Sequence, residues 1–230
     1  MYPEQAMTMP VSALDTNRRA AFITRTYTHL LGAIGGFTAI EVFLFSSGMA
    51  ETIARSMLSV NWLFIMGAFM LASWAASRAA FTAKSPATQY AALAGFVLAE
   101  ALIFVPLLYV ANAYAPGAIQ SAALVTIMGF VGLTMVAFST RKDFSFLGGV
   151  LKWGFVLAIV MIGAGFLFGF QLGTYFSVAM VGFAGVAILY DTSNVLHHFP
   201  EDRHVGAALQ LFASVALMFW YVLSIFSSRD

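Results

Sequence analysis

The chain has 230 residues, a formal net charge of +1 and no cysteine. Hydrophobic residues make up 61% of it, charged residues only 9%, and the mean hydropathy is +0.87, which is the composition of an integral membrane protein. The lack of cysteine excludes disulfides, thiolate catalysis, iron–sulfur clusters and thiolate zinc sites. The near-neutral charge gives no general attraction to nucleic acid, so a nucleic-acid partner is not expected.

The first part of the chain is polar and the rest is dominated by apolar stretches. Met1–Arg25 lacks a seven-residue apolar core, which predicts a short polar tail and not a cleavable signal peptide. Seven apolar stretches follow, each close to the ~20 residues that a helix needs to cross ~30 Å of hydrocarbon. The predicted spans are Tyr27–Ser47, Val60–Ala76, Thr88–Ala111, Ala118–Phe138, Gly148–Phe168, Thr174–Val195 and Val205–Phe226. We therefore predict an all-α membrane protein with a tail over residues 1–25 and one seven-span domain over residues 26–228.

Basic residues predict the orientation of these spans. Nine of the 11 Lys and Arg residues fall on one side of the predicted layout, namely Arg18, Arg19, Arg25, Arg78, Lys84, Arg141, Lys142, Lys152 and Arg203. Because Lys and Arg are enriched in cytoplasmic loops, this side is predicted to be cytoplasmic. The amino terminus should then be cytoplasmic and the carboxyl terminus extracytoplasmic.

Four ionisable side chains fall inside or at the ends of the predicted spans. A charge near the centre of a membrane helix costs at least ~2.5 kcal/mol, so each group needs a compensating partner or a function. Glu41, toward the outer end of the first span, is expected to reach the outer interface, and Arg78 is expected to extend to the inner one. Glu100, near the middle of the third span, is either a structural carboxyl bonded to a neighbouring helix or an acid on a transport pathway. Glu41 is the second candidate pathway acid.

Asp191 is the most informative of these groups. It lies about one turn inside the end of the sixth span, in the segment LYDTSNVLHHF, and shares a helix face with Asn194 and His198. One interpretation is that the helix simply ends there and its polar groups meet water. The other is that Asp191 pairs with Arg78 in the same leaflet. That ion pair would hold a pathway shut until Asp191 is protonated or binds a cation.

The last span places two polar residues near the same leaflet. Gln210 and Ser214 are one turn apart on one helix face. Their ordinary role would be hydrogen bonding between helices, worth ~0.6 kcal/mol on average. The alternative is that they supply neutral oxygens opposite Asp191.

Three segments give the chain a resemblance to a known family. They are LYDT at Leu189–Thr192, RKDFSFLGG at Arg141–Gly149 and AALQLFASVALMFWYVL at Ala207–Leu223. Together with the order of the seven spans, they resemble the Bax inhibitor-1 family in its bacterial YccA-like branch, over about residues 20–228. The resemblance implies a multi-pass protein of a bacterial inner membrane, in contact with membrane lipid, whose last helix is central and enclosed by the other six.

The resemblance also implies an activity, a pH-sensitive calcium leak. In characterised relatives two aspartates on the sixth and seventh helices pair and gate the path, with an arginine of the second helix nearby. The first aspartate corresponds to Asp191 and the arginine to Arg78, but Ser214 stands where the second aspartate would be. The two-aspartate sensor is therefore not carried over, because a single carboxylate beside a hydroxyl does not titrate as a coupled pair. Only a weak calcium site at Asp191 is expected, since calcium affinity rises with the number of anionic oxygen ligands.

Two hypotheses for the function follow. The leading one is a calcium or other cation leak pathway gated by Asp191 and Arg78 with Ser214 and Gln210, with no resident cofactor beyond transiently bound calcium. The alternative is a non-transporting interaction protein, because YccA-like members are similar to modulators and slow substrates of the membrane-bound AAA protease, engaged through a cytoplasmic tail. An enzyme is not expected, because the sequence has no HExxH motif for zinc.

Overall fold

The computed structural model describes residues 9–169 and 172–228. These residues form eight helices: α1 (Thr16–Ser46), α2 (Met49–Leu58), α3 (Trp62–Thr82), α4 (Pro86–Tyr114), α5 (Ala118–Thr140), α6 (Leu147–Phe168), α7 (Gly173–His197) and α8 (His204–Ser227). All except α2 are long and apolar enough to cross a membrane. The predicted all-α fold with seven spans is confirmed.

Helix α1 begins inside the predicted polar tail. The carboxylate of Asp15 accepts hydrogen bonds from the backbone N–H groups of Asn17 and Arg18, both at 3.0 Å. Such an N-cap satisfies donors that the first helical turn leaves unpaired. Residues 16–25 are therefore helical and continuous with the first span, while the predicted boundary of the membrane domain at residue 25 stays a prediction. The helix has 31 residues, more than a bilayer requires, so its polar first turns extend beyond the apolar stretch that the sequence makes visible.

The segment ahead of α1 is anchored to the far end of the chain. The backbone N–H of Val11 donates to the carbonyl of Phe199 at 2.9 Å, and Pro10 forms an isolated β-bridge with Pro200. The side chain of Val11 is fully buried. Residues 9–15 are thus docked on the connection between α7 and α8, while the predicted tail over residues 1–8 lies outside the described residues.

Helix α2 was not predicted from the hydropathy pattern. It begins after Gly48, whose positive φ of 77° permits the sharp turn out of α1. Its buried residues Ala50 and Ala54 pack against Leu44 of α1 and Val105 of α4. The helix has only ten residues and one polar face, so it is too short to span and too charged to stand out as an apolar stretch.

The last helix has the largest share of the interhelical contacts. Helix α8 packs against α1, α3, α4, α5 and α7. None of its residues from His204 to Ser227 is exposed. Helix α6 packs mainly against α7, and α8 packs against the other five long helices. The predicted enclosure of α8 by all six helices stays a prediction.

An aromatic cluster fills the space between α1, α4 and α8. The ring of Phe104 lies 5.2 Å from Phe37, 5.5 Å from Phe219 and 5.0 Å from Trp220, measured between centroids. Edge-to-face and offset pairs at these distances add about 0.5–1.5 kcal/mol each to the burial of the rings. This packing holds α8 against α4 on one side of the bundle. The other faces of α8 contact α5 and α7.

Candidate functional site

Asp191 lies buried between the last two helices. Only 3% of its surface is exposed. The Nε2 amide nitrogen of Gln210 donates to one carboxylate oxygen and the hydroxyl of Ser214 donates to the other, each at 2.5 Å. Both partners belong to α8, one turn apart. The structure therefore brings together three of the four residues that the sequence suggested for a gate.

The connection between α7 and α8 explains this arrangement. Helix α7 ends at His197 and α8 begins at His204, so the two helices form an antiparallel hairpin with a short connection. Asp191 lies nearly two turns before that connection, and Gln210 and Ser214 lie about two and three turns after it, at 3.6 residues per turn. Residues at matching distances from a hairpin meet across it. The site is thus built by neighbouring elements and does not depend on distant parts of the fold.

Arg78 does not belong to this site. Its side chain is exposed, and its guanidinium carbon lies 5.7 Å from the centre of the Trp74 ring on the same helix, which is a cation–π contact. Among the described residues no ion pair joins Arg78 to Asp191. Helix α3 faces α8 through Ala80 and Phe81 instead. The predicted ion pair is not formed, because Arg78 lies on another face of α3.

The side chains around Asp191 are hydrogen-bond donors. Gln210 presents its amide nitrogen and Ser214 its hydroxyl hydrogen, so neither oxygen is aimed as a ligand toward a cation in this arrangement. Calcium prefers six to eight oxygen ligands, several of them anionic. Within the described residues no group of three or more His, Cys, Asp or Glu side chains is assembled. The weak calcium site expected at Asp191 remains a prediction with one anionic ligand.

The two glutamates inside the spans are both buried. Glu41 is only 7% exposed and neither of its carboxyl oxygens has a hydrogen-bond partner within the described part of the chain. Both oxygens are inaccessible to solvent, which differs from the prediction that the side chain reaches the outer interface. Glu100 is 6% exposed, and no described residue makes the interhelical hydrogen bond that a purely structural role would need. Both residues remain candidate pathway acids.

A second polar cluster joins the α5–α6 connection to the end of α7. Asp143 accepts a hydrogen bond from the Ser145 backbone N–H at 2.9 Å, and its other oxygen lies 2.9 Å from Nε2 of His198. The hydroxyl of Ser193 accepts a hydrogen bond from the Phe144 backbone N–H at 2.8 Å. The Ser145 N–H and then His198 hold the pKa of Asp143 below its ordinary value. This cluster was not predicted from the sequence.

The residues of that cluster come from two segments, RKDFSFLGG and DTSNVLHHF, that lie far apart in the sequence. Asp-x-Ser in the RKDFSFLGG segment is typical of a turn in which the aspartate accepts a backbone N–H two residues on. The DTSNVLHHF segment supplies the hydroxyl of Ser193 and the imidazole of His198. Only the fold shows that these two segments contact each other, because 55 residues separate Asp143 from His198.

Comparison with known proteins places this arrangement in a family. A family model described as inhibitor of apoptosis-promoting Bax1 matches residues 19–230. The chain is 36% identical over 111 residues to an uncharacterized protein of Pseudomonas aeruginosa, which covers 47% of this chain and 49% of the relative. It is 35% identical over 108 residues to the modulator of FtsH protease YccA of Escherichia coli K12, covering 46% and 49%.

A more distant match extends the comparison to a eukaryote. The chain is 30% identical over 144 residues to Bax inhibitor 1 of Schizosaccharomyces pombe, covering 59% of this chain and 48% of the relative. The chain thus aligns with about half the length of the curated relatives it matches. YccA of another Escherichia coli strain is described as an inner membrane protein. These names describe a modulator, an inhibitor and a membrane protein, and not an enzyme.

Proposed function

The chain belongs to the Bax inhibitor-1 family, and we propose that it acts in a bacterial inner membrane as a modulator and slow substrate of a membrane-bound AAA protease of the FtsH type. The name of the Escherichia coli relative supports this function. The observation that carries it is the anchored segment ahead of α1. Proteolysis starts at exposed, poorly ordered termini, and docking removes such a segment from reach. An anchor of this kind makes a membrane protein a slow substrate.

The buried side chain of Val11 is the point at which the anchor can be released. It is fully buried, and its N–H is bonded to Phe199. A carboxylate there would be buried without a partner, at a cost of several kcal/mol, so Val11→Asp should free residues 9–15. We expect degradation by the purified protease in proteoliposomes to become several-fold faster, since degradation follows the population of the open form.

Matched variants separate release of the anchor from other effects. Ala13 is exposed in the same turn, so Ala13→Asp introduces the same charge without breaking the anchor and should leave degradation unchanged. Deletion of residues 2–8 keeps both Val11 and the Asp15 cap and should weaken co-purification with the protease. Equal degradation of wild type, Val11→Asp and the deletion variant would contradict the proposal.

The buried carboxylate supports a second candidate function, a proton-sensitive cation pathway between α7 and α8. Asp191 is charged or neutral according to pH, and its only described hydrogen-bond partners are two neutral groups on a different helix. Protonation would remove the charge that makes both bonds strong, since bonds to a charged group are worth about 1.5–3 kcal/mol and neutral ones about 1 kcal/mol. The contact between α7 and α8 would then loosen.

Asp191→Asn tests this pathway. Asparagine keeps a similar shape and one carbonyl acceptor but cannot change its charge, so calcium flux into proteoliposomes should change and lose its dependence on pH. Asp202→Asn is the matched control, because Asp202 is exposed on the connection before α8 and pairs with Arg203 at 3.2 Å. A calcium flux of Asp191→Asn that equals that of the wild type across the pH range would contradict the pathway proposal and would leave the protease proposal unaffected.

A further inference from the structure

A groove on the outer surface runs between α1 and α5. Both helices pack against α8, and the surface between them is lined by Ile23, Tyr27, Leu31, Thr134, Met135 and Phe138. Its volume of about 480 Å³ lies within the range of roughly 300–1,000 Å³ that is usual for ligand pockets. Leu31 and Met135 are 69% and 65% exposed, so the groove opens toward the surrounding hydrocarbon. An apolar chain would fit along it.

The groove continues into a basic pocket at the end of the two helices. Ile23 and Phe138 line both, and the pocket adds Arg19 from the first turns of α1 and Arg141 from the end of α5. The guanidinium of Arg19 donates to the carbonyl of Leu196 at 3.0 Å, which fixes its position and leaves other N–H groups free. The side chain of Arg141 is exposed and its guanidinium has no hydrogen-bond or ion-pair partner within residues 9–169 and 172–228.

The neighbouring carboxylates do not neutralise these arginines. Asp15 accepts the backbone N–H groups at the start of α1, and Glu201 pairs with Arg18. The pocket therefore presents two guanidinium groups without an ion-pair partner among the described residues, at the helix ends that the basic residues predict to be cytoplasmic. Guanidinium groups bind phosphate oxygens through paired N–H donors. Basic pockets between membrane helices on that side recognise anionic headgroups.

We propose that this groove is a binding site for one anionic phospholipid. The phosphate would lie between Arg19 and Arg141, and an acyl chain would follow Ile23 toward Leu31 and Met135. The order of the features supports a lipid and not a soluble anion, because the basic pocket and the apolar groove are continuous through Ile23 and Phe138. The site does not include Asp191 or Val11, although Leu14 of the docked segment lines its basic pocket.

The test compares two lipids that have the same acyl chains and differ in the headgroup, which is anionic in one and zwitterionic in the other. The full chain in detergent is titrated with dioleoyl phosphatidylglycerol or dioleoyl phosphatidylcholine, and bound lipid is counted by native mass spectrometry. One phosphatidylglycerol should bind at least tenfold more tightly than phosphatidylcholine. Arg19→Gln and Arg141→Gln should each lower its affinity about fivefold, the factor that corresponds to one basic residue near a membrane surface. Lys152→Gln, at an exposed position of α6 near the connection between α5 and α6, should not change the affinity.

Two further measurements protect the test from ambiguity. Arg19 also bonds to Leu196, so the thermal unfolding of each variant is measured to detect a loss of stability. Thr28 is an exposed residue that lines the groove, and Thr28→Trp fills the groove without changing any charge. Thr28→Trp should lower phosphatidylglycerol affinity as well. The proposal is overturned if both arginine variants bind like wild type, if Lys152→Gln weakens binding as much as they do, or if glycerol phosphate competes as strongly as the whole lipid.

Discussion

The position of Asp191 can be understood from two opposing energies. Placing a charge in a membrane helix costs at least ~2.5 kcal/mol. Two hydrogen bonds to a charged carboxylate return about 1.5–3 kcal/mol each, so Gln210 and Ser214 are sufficient to offset the cost without a cation. The absence of an arginine from the site is thus energetically acceptable. It also means that the charge of Asp191 sets the strength of these two hydrogen bonds, which add to the apolar packing of α7 against α8.

Asp143 offers a residue-scale prediction about pH. Its carboxylate accepts the Ser145 N–H and contacts His198, and Asp143→Ala removes both contacts, which should cost about 1 kcal/mol of unfolding free energy. The folded-state pKa of Asp143 is lowered, so its contribution is present above the ordinary pKa of about 3.9 and is lost as pH falls through the lower folded value.

Thermal unfolding of wild type and Asp143→Ala checks the expected pH dependence. The gap between them should persist from pH 8 to pH 5 and should close only below pH 4. Asp143→Asn keeps an acceptor for Ser145 and removes the charge, so it isolates the contribution of the contact with His198. A gap that closes already between pH 7 and pH 5 would assign the effect to a group other than Asp143.

At the scale of single residues, the sequence predicted more about location than about partners. Asp191, Gln210 and Ser214 were expected in one leaflet, and spacing along a hairpin is enough to bring them together. The ion pair predicted between Arg78 and Asp191 and the exposure predicted for Glu41 are not observed, because hydropathy gives the depth of a residue but not the helix face that it shares with a neighbour. Only packing showed that Arg78 lies on Trp74 and that the carboxyl group of Glu41 is buried.

At the scale of elements, α3 and α8 approach closely at one glycine. A Cβ atom added to Gly206 would lie 3.1 Å from the ring of Phe81 and 3.3 Å from the carbonyl oxygen of Ala80. Both distances are shorter than ordinary van der Waals contacts, and neither a ring nor a backbone carbonyl yields easily. Small residues at such crossings allow membrane helices to pack without side chains between them.

Gly206→Val should therefore destabilise the protein, by about 1–3 kcal/mol, the usual cost of overpacking. Thermal unfolding in detergent is the measurement. Gly95→Val is the matched control, because Gly95 is exposed on α4 and a Cβ there meets nothing within 4 Å. Equal stability of the two variants would show that α3 and α8 can separate at this crossing without loss.

The elements differ in how well the sequence predicted them. Seven spans were predicted and seven membrane-length helices are present in the described residues, because a run of ~20 apolar residues is a strong signal. The early start of α1 and the short helix α2 were missed. Both depend on local effects, a cap at Asp15 and an interfacial helix whose buried face consists mainly of two alanines. A hydropathy window detects neither.

For the molecule as a whole, the connection between α7 and α8 brings three contacts together. It closes the hairpin that holds Asp191. On it, the carbonyl of Phe199 accepts the hydrogen bond from Val11, and Glu201 pairs with Arg18 of α1. Arg203 on the same connection donates to the carbonyl of Ala83 at the end of α3 at 2.6 Å. A change in the spacing of α7 and α8 would therefore alter the contacts of the docked segment ahead of α1. The cation pathway and the protease response would then be linked through one short stretch of backbone.

The contact between Val11 and Phe199 has a consequence for how the protein is made. Ribosomes add ~5–20 residues per second, so the backbone partner of Val11 is synthesised roughly ten to forty seconds after Val11 itself. During that interval the leading segment has nothing to dock on, whatever the state of the earlier helices. The backbone partners of this segment become available only when α7 and the connection after it have been made. A chain that is still being made thus differs from one with a docked leading segment, and under the proposed function the protease would act first on the undocked form.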